Sequence, residues 1–270
     1  MLMPMIRSAT VVAALAGPAS AQGMTQSDVL EGNLLPGWQM TGGAHMAALD
    51  LRLAPQWKTY WRAPGDAGIP PSFDWSGSEN VASVRFHWPA PDVFHTNGMQ
   101  SVGYHDHLVL PFEVTARDPS RPVVLRAQVE LGVCKDICMP ASLDLSADLM
   151  PPGKPDAVIT AALAARPATA KEAGVRGHDC TVQAISDGMR VTARIDMPKM
   201  GRIDAVVLEP GIPGVWVSEA EITRSGHIVQ AVVDMVPPSG EPFSLTRDHL
   251  VLTVIGQGGR AVELIGCPAP

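Results

Sequence analysis

The chain has 270 residues and a formal net charge of -7, from 20 Lys plus Arg against 27 Asp plus Glu. A mildly acidic chain without basic runs is a poor partner for nucleic acid or an anionic membrane surface. Its 25 glycines and 25 prolines, with few stretches periodic enough for long helices, point to short strands joined by turns.

The first 23 residues, MLMPMIRSATVVAALAGPASAQG, join one basic residue (Arg7), an apolar run from Ala9 to Ala16 and an Ala19-Ser20-Ala21 site. That pattern predicts a secretory signal peptide over residues 1–21. The run is shorter than the ~20 apolar residues of a spanning helix, and no later segment reaches that length. No cysteine follows the cut, which argues against a lipid anchor there. Losing Arg7 takes the charge from -7 to -8. The mature chain is expected to be exported without direct membrane insertion, and the style of the signal points to a bacterial periplasm.

From Gly37 to Leu149 the pattern is one of strands. Leu49, Leu51 and Leu53 alternate with Asp50 and Arg52, and VLRAQVELGV sets Leu125, Ala127, Val129, Leu131 and Val133 against Arg126, Gln128 and Glu130. SLDLSADL repeats the period with Leu143, Leu145, Ala147 and Leu149. Period two means one face on a core and one in water. With Pro/Gly-rich connections between the runs, a β-sandwich is expected over residues 22–150.

Residues 151–177, PPGKPDAVITAALAARPATAKEAGVRG, change character. A proline-rich start leads into an Ala-rich piece, Asp156–Arg166, suited to a short helix, and the whole is expected to be a linker without β structure. Strand patterns resume over 178–270. TVQAISDGMRVTARIDM reads as a hairpin around Asp187-Gly188, where Asp-Gly suits a tight turn with positive φ. HLVLTVIGQGGRAVELIGC reads as another around Gly256–Gly259, and GVWVSEAEI and HIVQAVVDMV supply further strands. The expected fold class is therefore all-β: an immunoglobulin-like sandwich followed by a second, smaller β-sandwich.

Four cysteines survive cleavage: Cys134, Cys138, Cys180 and Cys267. An even number in an exported chain reads first as disulfides. Cys180 and Cys267 bracket the second sandwich, 87 positions apart (267 − 180). Closing that loop is worth roughly 4–5 kcal/mol of unfolded-chain entropy, so this pair is expected to be structural. Cys134 and Cys138 would close a ring worth only about 2 kcal/mol before strain. In the alternation Val133 points inward, which puts Cys134 on the outward face with Glu130 and Gly132. Both sulfurs are thus expected near the surface, where labile and catalytic disulfides are found. Lys135 favours a thiolate and Asp136 opposes it. From spacing alone, redox work, a structural staple and a metal clip all remain open.

Four stretches in order resemble the N-terminal periplasmic domain of the DsbD/ScsB thiol:disulfide reductases: WKTYWRAPGDAGIPPSFDWSGSENV (57–81), WPAPDVF (88–94), YHDHLVLPFEV (104–114) and VCKDICMP (133–140). The resemblance is strongest to the ScsB branch, associated with copper tolerance. It covers residues 37–150, and the second sandwich resembles the region that follows in longer ScsB proteins. It implies an immunoglobulin-like domain whose two cysteines cycle between dithiol and disulfide without an organic cofactor. The pair would take electrons from a thioredoxin-like domain of a membrane thiol:disulfide reductase and pass them to a thioredoxin-like periplasmic isomerase or reductase. Cys134 and Cys138 match the redox pair, Cys138 the sulfur that joins the partner, and Tyr60 an aromatic beside them. In the better-known branch a loop before the LxLP strand covers the cysteines with an aromatic side chain. The loop here, FHTNGMQSVGYHDH (94–107), has none at that point; Met99 is the nearest apolar candidate and Tyr104 lies further on. The chain also has neither a membrane electron conduit nor a thioredoxin-type CxxC, so it is expected to work between two partners.

Other features carry less. His105 and His107 flank Asp106 with a spacing that suits a metal, although an exposed polar strand face explains them equally and no metal is expected. Trp57, Tyr60, Trp61, Phe73 and Trp75 read first as sandwich core. No P-loop, G-x-S-x-G, H-E-x-x-H or dinucleotide motif is present. Two rival readings stand beside the redox one. A copper chaperone would use the same thiols with Met139 or a histidine. A non-catalytic scaffold would keep both disulfides as staples.

Overall fold

The computed structural model describes residues 25–66, 68–96 and 98–270. The expected signal peptide lies outside them. Ten strands precede the Ala-rich stretch: β1 (Leu30–Gln39), β2 (His45–Leu53), β3 (Lys58–Tyr60), β4 (Ser72–Asp74), β5 (Val81–Phe86), β6 (Asp92–Thr96), β7 (Met99–His105), β8 (His107–Ala116), β9 (Val123–Cys134) and β10 (Cys138–Leu149). They form two antiparallel sheets. One has the order β1-β2-β8-β5, and the other β10-β9-β3-β7-β6 with β4 also paired to β9. Leu49, Leu51, Leu110 and Phe112 of the first sheet meet Leu125, Val129 and Leu131 of the second in one buried core, with Trp57 and Trp61. This is an all-β, immunoglobulin-like sandwich.

A helix, α1 (Ala157–Ala164), follows, capped by Asp156, whose Oδ1 accepts from the amides of Val158 (2.7 Å) and Ile159 (3.2 Å). That bond satisfies amides with no partner inside the helix. Nine strands complete the chain: β11 (Ala168–Thr169), β12 (Gly177–Ile185), β13 (Gly188–Asp196), β14 (Ile203–Glu209), β15 (Trp216–Val217), β16 (Glu221–Ser225), β17 (Ile228–Val236), β18 (Val251–Gly256) and β19 (Arg260–Ile265). Their sheets run β11-β19-β18-β14 and β12-β13-β17-β15, with β16 also on β17. Between them lies a second core containing Val191, Ile195, Leu208, Val229, Met235 and Leu252 around Cys180 and Cys267.

Three expectations need correction. Residues 151–177 are not a loose connection without β structure. Ile159 of α1 is fully buried against Met46, Ala48 and Val109, and β11 pairs parallel with β19. Burying one such side chain contributes about 2 kcal/mol, enough to hold a short helix in place. The same packing covers the outward face of β2, so Met46, Ala48 and even Asp50 are buried where alternation predicted a wet face. Asp50 keeps a partner there, the His107 ring.

The Asp187-Gly188 hairpin exists, but Ser186 and Asp187 make its turn and Gly188 opens β13. Gly188 has no positive φ. It is needed because a Cβ there would stand 2.1 Å from the Met235 carbonyl oxygen of neighbouring β17. In the Gly256–Gly259 hairpin the left-handed region is used, with Gly258 at φ 77° and Gly259 at φ 71°.

The two sandwiches touch. Ala205 and Ile255 of the second pack into the core of the first. Beside them Arg62, just after β3, donates from Nε to Glu209 Oε1 (2.9 Å) and from Nη2 to Glu209 Oε2 (2.9 Å) and Glu263 Oε2 (2.6 Å). Burial disfavours the guanidinium's charge, but the two carboxylates outweigh it and raise its pKa. A planar fork matched to carboxylates in this way fixes orientation as well as charge.

Candidate redox site at the mouth of the β9–β10 hairpin

β9 and β10 pair along their whole length, ending with Cys134 opposite Cys138. The intervening Lys135, Asp136 and Ile137 are exposed, and the Lys135 amide donates to the Ile137 carbonyl at 3.0 Å. Facing positions on neighbouring strands put their side chains together, and here they form a disulfide with the Cα atoms 4.1 Å apart. Cys180 and Cys267 form the other, with Cα atoms 5.4 Å apart.

The two sulfur-bearing residues of the first pair differ in access. Cys138 is exposed, as expected, but Cys134 is only 1% exposed. Cys134 does lie on the outward face with Glu130 and Gly132. That face is covered at this end, because β3 flanks β9 and the segment after it folds over the sheet. A Cβ on Gly132 would stand 3.0 Å from Ile69 Cβ and 3.2 Å from Tyr60 Cε2. A side chain there would have to push this cover back by a few tenths of an ångström.

Tyr60 sits against the pair. Its hydroxyl oxygen lies 3.0 Å from Cys134 Sγ and 3.5 Å from Cys138 Sγ. A disulfide has no S–H, so the phenol donates. Burial raises its pKa, which keeps the proton on the oxygen. Thr59, on the core face, donates from Oγ1 to the Gly132 carbonyl at 3.0 Å and ties β3 to β9.

Met99 begins β7 and is half exposed, at 51%, paired with Thr96 at the far end of the β6–β7 hairpin. Tyr104 does not cover the cysteines. As register partner of Thr59 it points to the core face, where its ring stacks on Trp88 and its hydroxyl donates to the Pro89 carbonyl at 2.8 Å. Period two explains this: Tyr104 and Cys134 fall on opposite faces of one sheet.

The aromatic beside the pair on this side is Phe94 of β6. It lines an open groove with Lys58, His95, His105, Cys134 and Lys135. Lys58 is half-buried, its Nζ 3.1 Å from Ser101 Oγ and 4.9 Å from the Phe94 ring centroid, and burial lowers its pKa. Sequence reasoning missed Lys58 and Phe94 as neighbours of the pair and Ile69 as the cover over Gly132. WKTY carried a usable signal, since Lys58 and Tyr60 share a strand face, but the β3–β9 register that sets them beside Cys134 is long-range.

His105 and His107 do not share one strand face. His105 ends β7, His107 begins β8, and Asp106 turns between them at φ 60°. His105 contacts Asp106 (2.6 Å) and Asp92 (3.3 Å). Among the described residues no group of three or more His, Cys, Asp or Glu is placed to hold a metal ion. No helix among them is long and apolar enough to cross a membrane.

The site thus joins a sandwich, a CxxxC disulfide across a hairpin mouth and a tyrosine from β3 on the sulfurs. Residues 31–149 match the family "Thiol:disulfide interchange protein DsbD, N-terminal". The chain is similar in structure to the N-terminal periplasmic domain of ScsB from Proteus mirabilis. The TM-score is 0.71 at 22% identity, over 91% of this chain and 96% of that one. At that identity the likeness is one of fold, and it spans both sandwiches. No curated protein matches the chain. The DsbD-like region contains every residue of the disulfide site described above, from Lys58 to Cys138.

Proposed function

We propose that this chain is a periplasmic thiol–disulfide exchange protein that relays electrons through Cys134 and Cys138. Its partners in this reading are a membrane thiol:disulfide reductase and a thioredoxin-like periplasmic isomerase or reductase. Residues 1–21 serve as the export signal, 22–150 as the redox module and 178–270 as a second sandwich braced against it. The observation that carries the reading is the unequal access of the two cysteines. Disulfides with an exposed sulfur are the labile ones, whereas a staple gains nothing from leaving one sulfur in water. The DsbD match over residues 31–149 supports the same chemistry.

In this mechanism a partner thiolate attacks Cys138, the exposed sulfur, and Cys134 leaves. In the reverse sense Cys134 resolves the mixed disulfide. Tyr60 donates its hydrogen bond to whichever sulfur carries the charge. The test is trapping in the periplasm. A Cys134→Ser variant should accumulate a reducible adduct of Cys138 with a thioredoxin-fold protein on non-reducing gels, and Cys138→Ser should accumulate little. If neither variant forms an adduct, the relay reading fails and two structural staples remain.

A further inference from the structure

We propose that the Lys58 ammonium stabilises the thiolate on Cys134 each time the disulfide opens, so that Lys58 is a charge-stabilising group of the exchange reaction. The proposal rests on the exchange function above and assigns a further participant to it. Lys58 and Cys134 are register partners in the antiparallel β3–β9 pair, so their side chains leave the sheet together on one face. Both line the same groove. The ammonium is held there by the Ser101 hydroxyl at 3.1 Å and lies over the rings of Phe94 at 4.9 Å and Tyr60 at 5.9 Å. Tyr60 in turn places its hydroxyl 3.0 Å from Cys134 Sγ.

What singles Lys58 out is the anion it lacks. Among the described residues no carboxylate pairs with it, although it is half-buried. A half-buried cation held by a hydroxyl and aromatic rings is stabilised least when nothing negative faces it. The other charged and titratable groups of the groove are His95 of β6, His105 of β7, Asp106 and Lys135. Asp106, the one carboxylate among them, is bonded to His105 at 2.6 Å. The reaction itself supplies an anion in the groove that Lys58 lines. Burial lowers the lysine's pKa in the oxidised protein, in keeping with a charge waiting for its partner.

A thiolate of the partner dithiol attacks Cys138 Sγ and forms a new S–S bond. The Cys134–Cys138 bond breaks, and its electron pair stays on Cys134 Sγ as a thiolate. The partner's second thiolate then attacks its own sulfur in the mixed disulfide and releases Cys138 thiolate. The partner leaves as a disulfide, and two electrons have passed to this chain. Cys134 is 1% exposed, so its anion forms out of water and depends on nearby donors and charge. Lys58 and the Tyr60 hydroxyl provide both, and the same pair favours Cys134 as attacking thiolate in the reverse direction.

The test compares Lys58→Met, Lys58→Gln and Lys58→Arg in the full chain, with dithiothreitol as reductant and thiolate absorbance as a second readout. Two uncharged variants are used so that a folding defect in one, seen in its melt, leaves the other to decide. Lys58→Met and Lys58→Gln should open the disulfide about tenfold more slowly and show less Cys134 thiolate after reduction, the scale of one charge neighbour lost. Lys58→Arg should stay near wild type. Wild-type rates and thiolate signal in the uncharged variants overturn the proposal, and so does an Arg variant as slow as they are. These results are separable from failure of the exchange reading. That reading is judged by the trapping of Cys134→Ser and Cys138→Ser, whatever Lys58 does.

Discussion

Cys134 and Cys138 are register partners at the end of one hairpin, and the bond between them joins a residue buried against the Tyr60 hydroxyl to one in water. In the proposed exchange that asymmetry orders the chemistry: a partner thiolate reaches Cys138, and the electron pair of the broken bond stays on Cys134, whose Sγ accepts from the Tyr60 hydroxyl 3.0 Å away.

The two disulfides should differ in lability. Cys180 and Cys267 are both fully buried in the second core and close a loop of 87 positions, so mild dithiol should leave them intact while it opens Cys134–Cys138. Differential alkylation with peptide mass mapping reads this directly. Equal resistance of both pairs sinks the redox reading.

Tyr60→Phe should keep the fold, because the ring and its burial remain, and should lose the hydrogen bond to the sulfurs. A hydrogen bond of this kind is worth about 1 kcal/mol to the neutral protein and roughly twice that to an ionised acceptor. The variant should therefore melt near wild type yet exchange with thiols several-fold more slowly. A wild-type exchange rate would exclude the phenol from the reaction.

His45 predicts a loss of stability in mild acid. Burial lowers its pKa, and the hydrogen bond to the Pro36 carbonyl at 2.6 Å only partly offsets this. As pH falls through the usual histidine range, the unfolded chain binds a proton that the folded chain resists, so stability drops. His87 is lowered in the same sense, chiefly by burial, with Glu113 opposing, and adds to the slope. Denaturant melts across that range should show a shallower acid slope in a His45→Gln variant. An unchanged slope would remove His45 from the account.

Gly188→Ala should destabilise the second sandwich by about 2–3 kcal/mol, as overpacking against backbone does. Its Cβ would meet the Met235 carbonyl at 2.1 Å, and a strand cannot step aside as a flexible side chain does. Gly177→Ala, where nothing lies within 4 Å and φ is not positive, serves as the control and should melt like wild type. Equal melts for both variants would contradict the packing described here.

What the sequence determined by itself was local. Period-two runs marked the faces of β9 and β10, and Leu125, Val129 and Leu131 are buried where the alternation put them. Asp156 marked the start of α1, and the glycines of Gly256–Gly259 marked a hairpin turn. The spacing of the cysteines separated a long closure from a small ring. These follow from propensity, capping and loop entropy, which act between residues near in the chain or depend only on chain length.

Tertiary structure decided the rest. Alternation placed Cys134 on the outward face but said nothing of what covers that face, since Tyr60 and Ile69 arrive from more than sixty positions away in sequence. Tyr104 was a candidate cover until the β3–β7 register turned it to the core, and Lys58 was unremarkable until β3–β9 pairing set it opposite Cys134. The outward face of β2 was expected in water and instead holds α1. In each case burial and neighbours come from pairing between distant strands, and a one-residue change of register would exchange one face for the other.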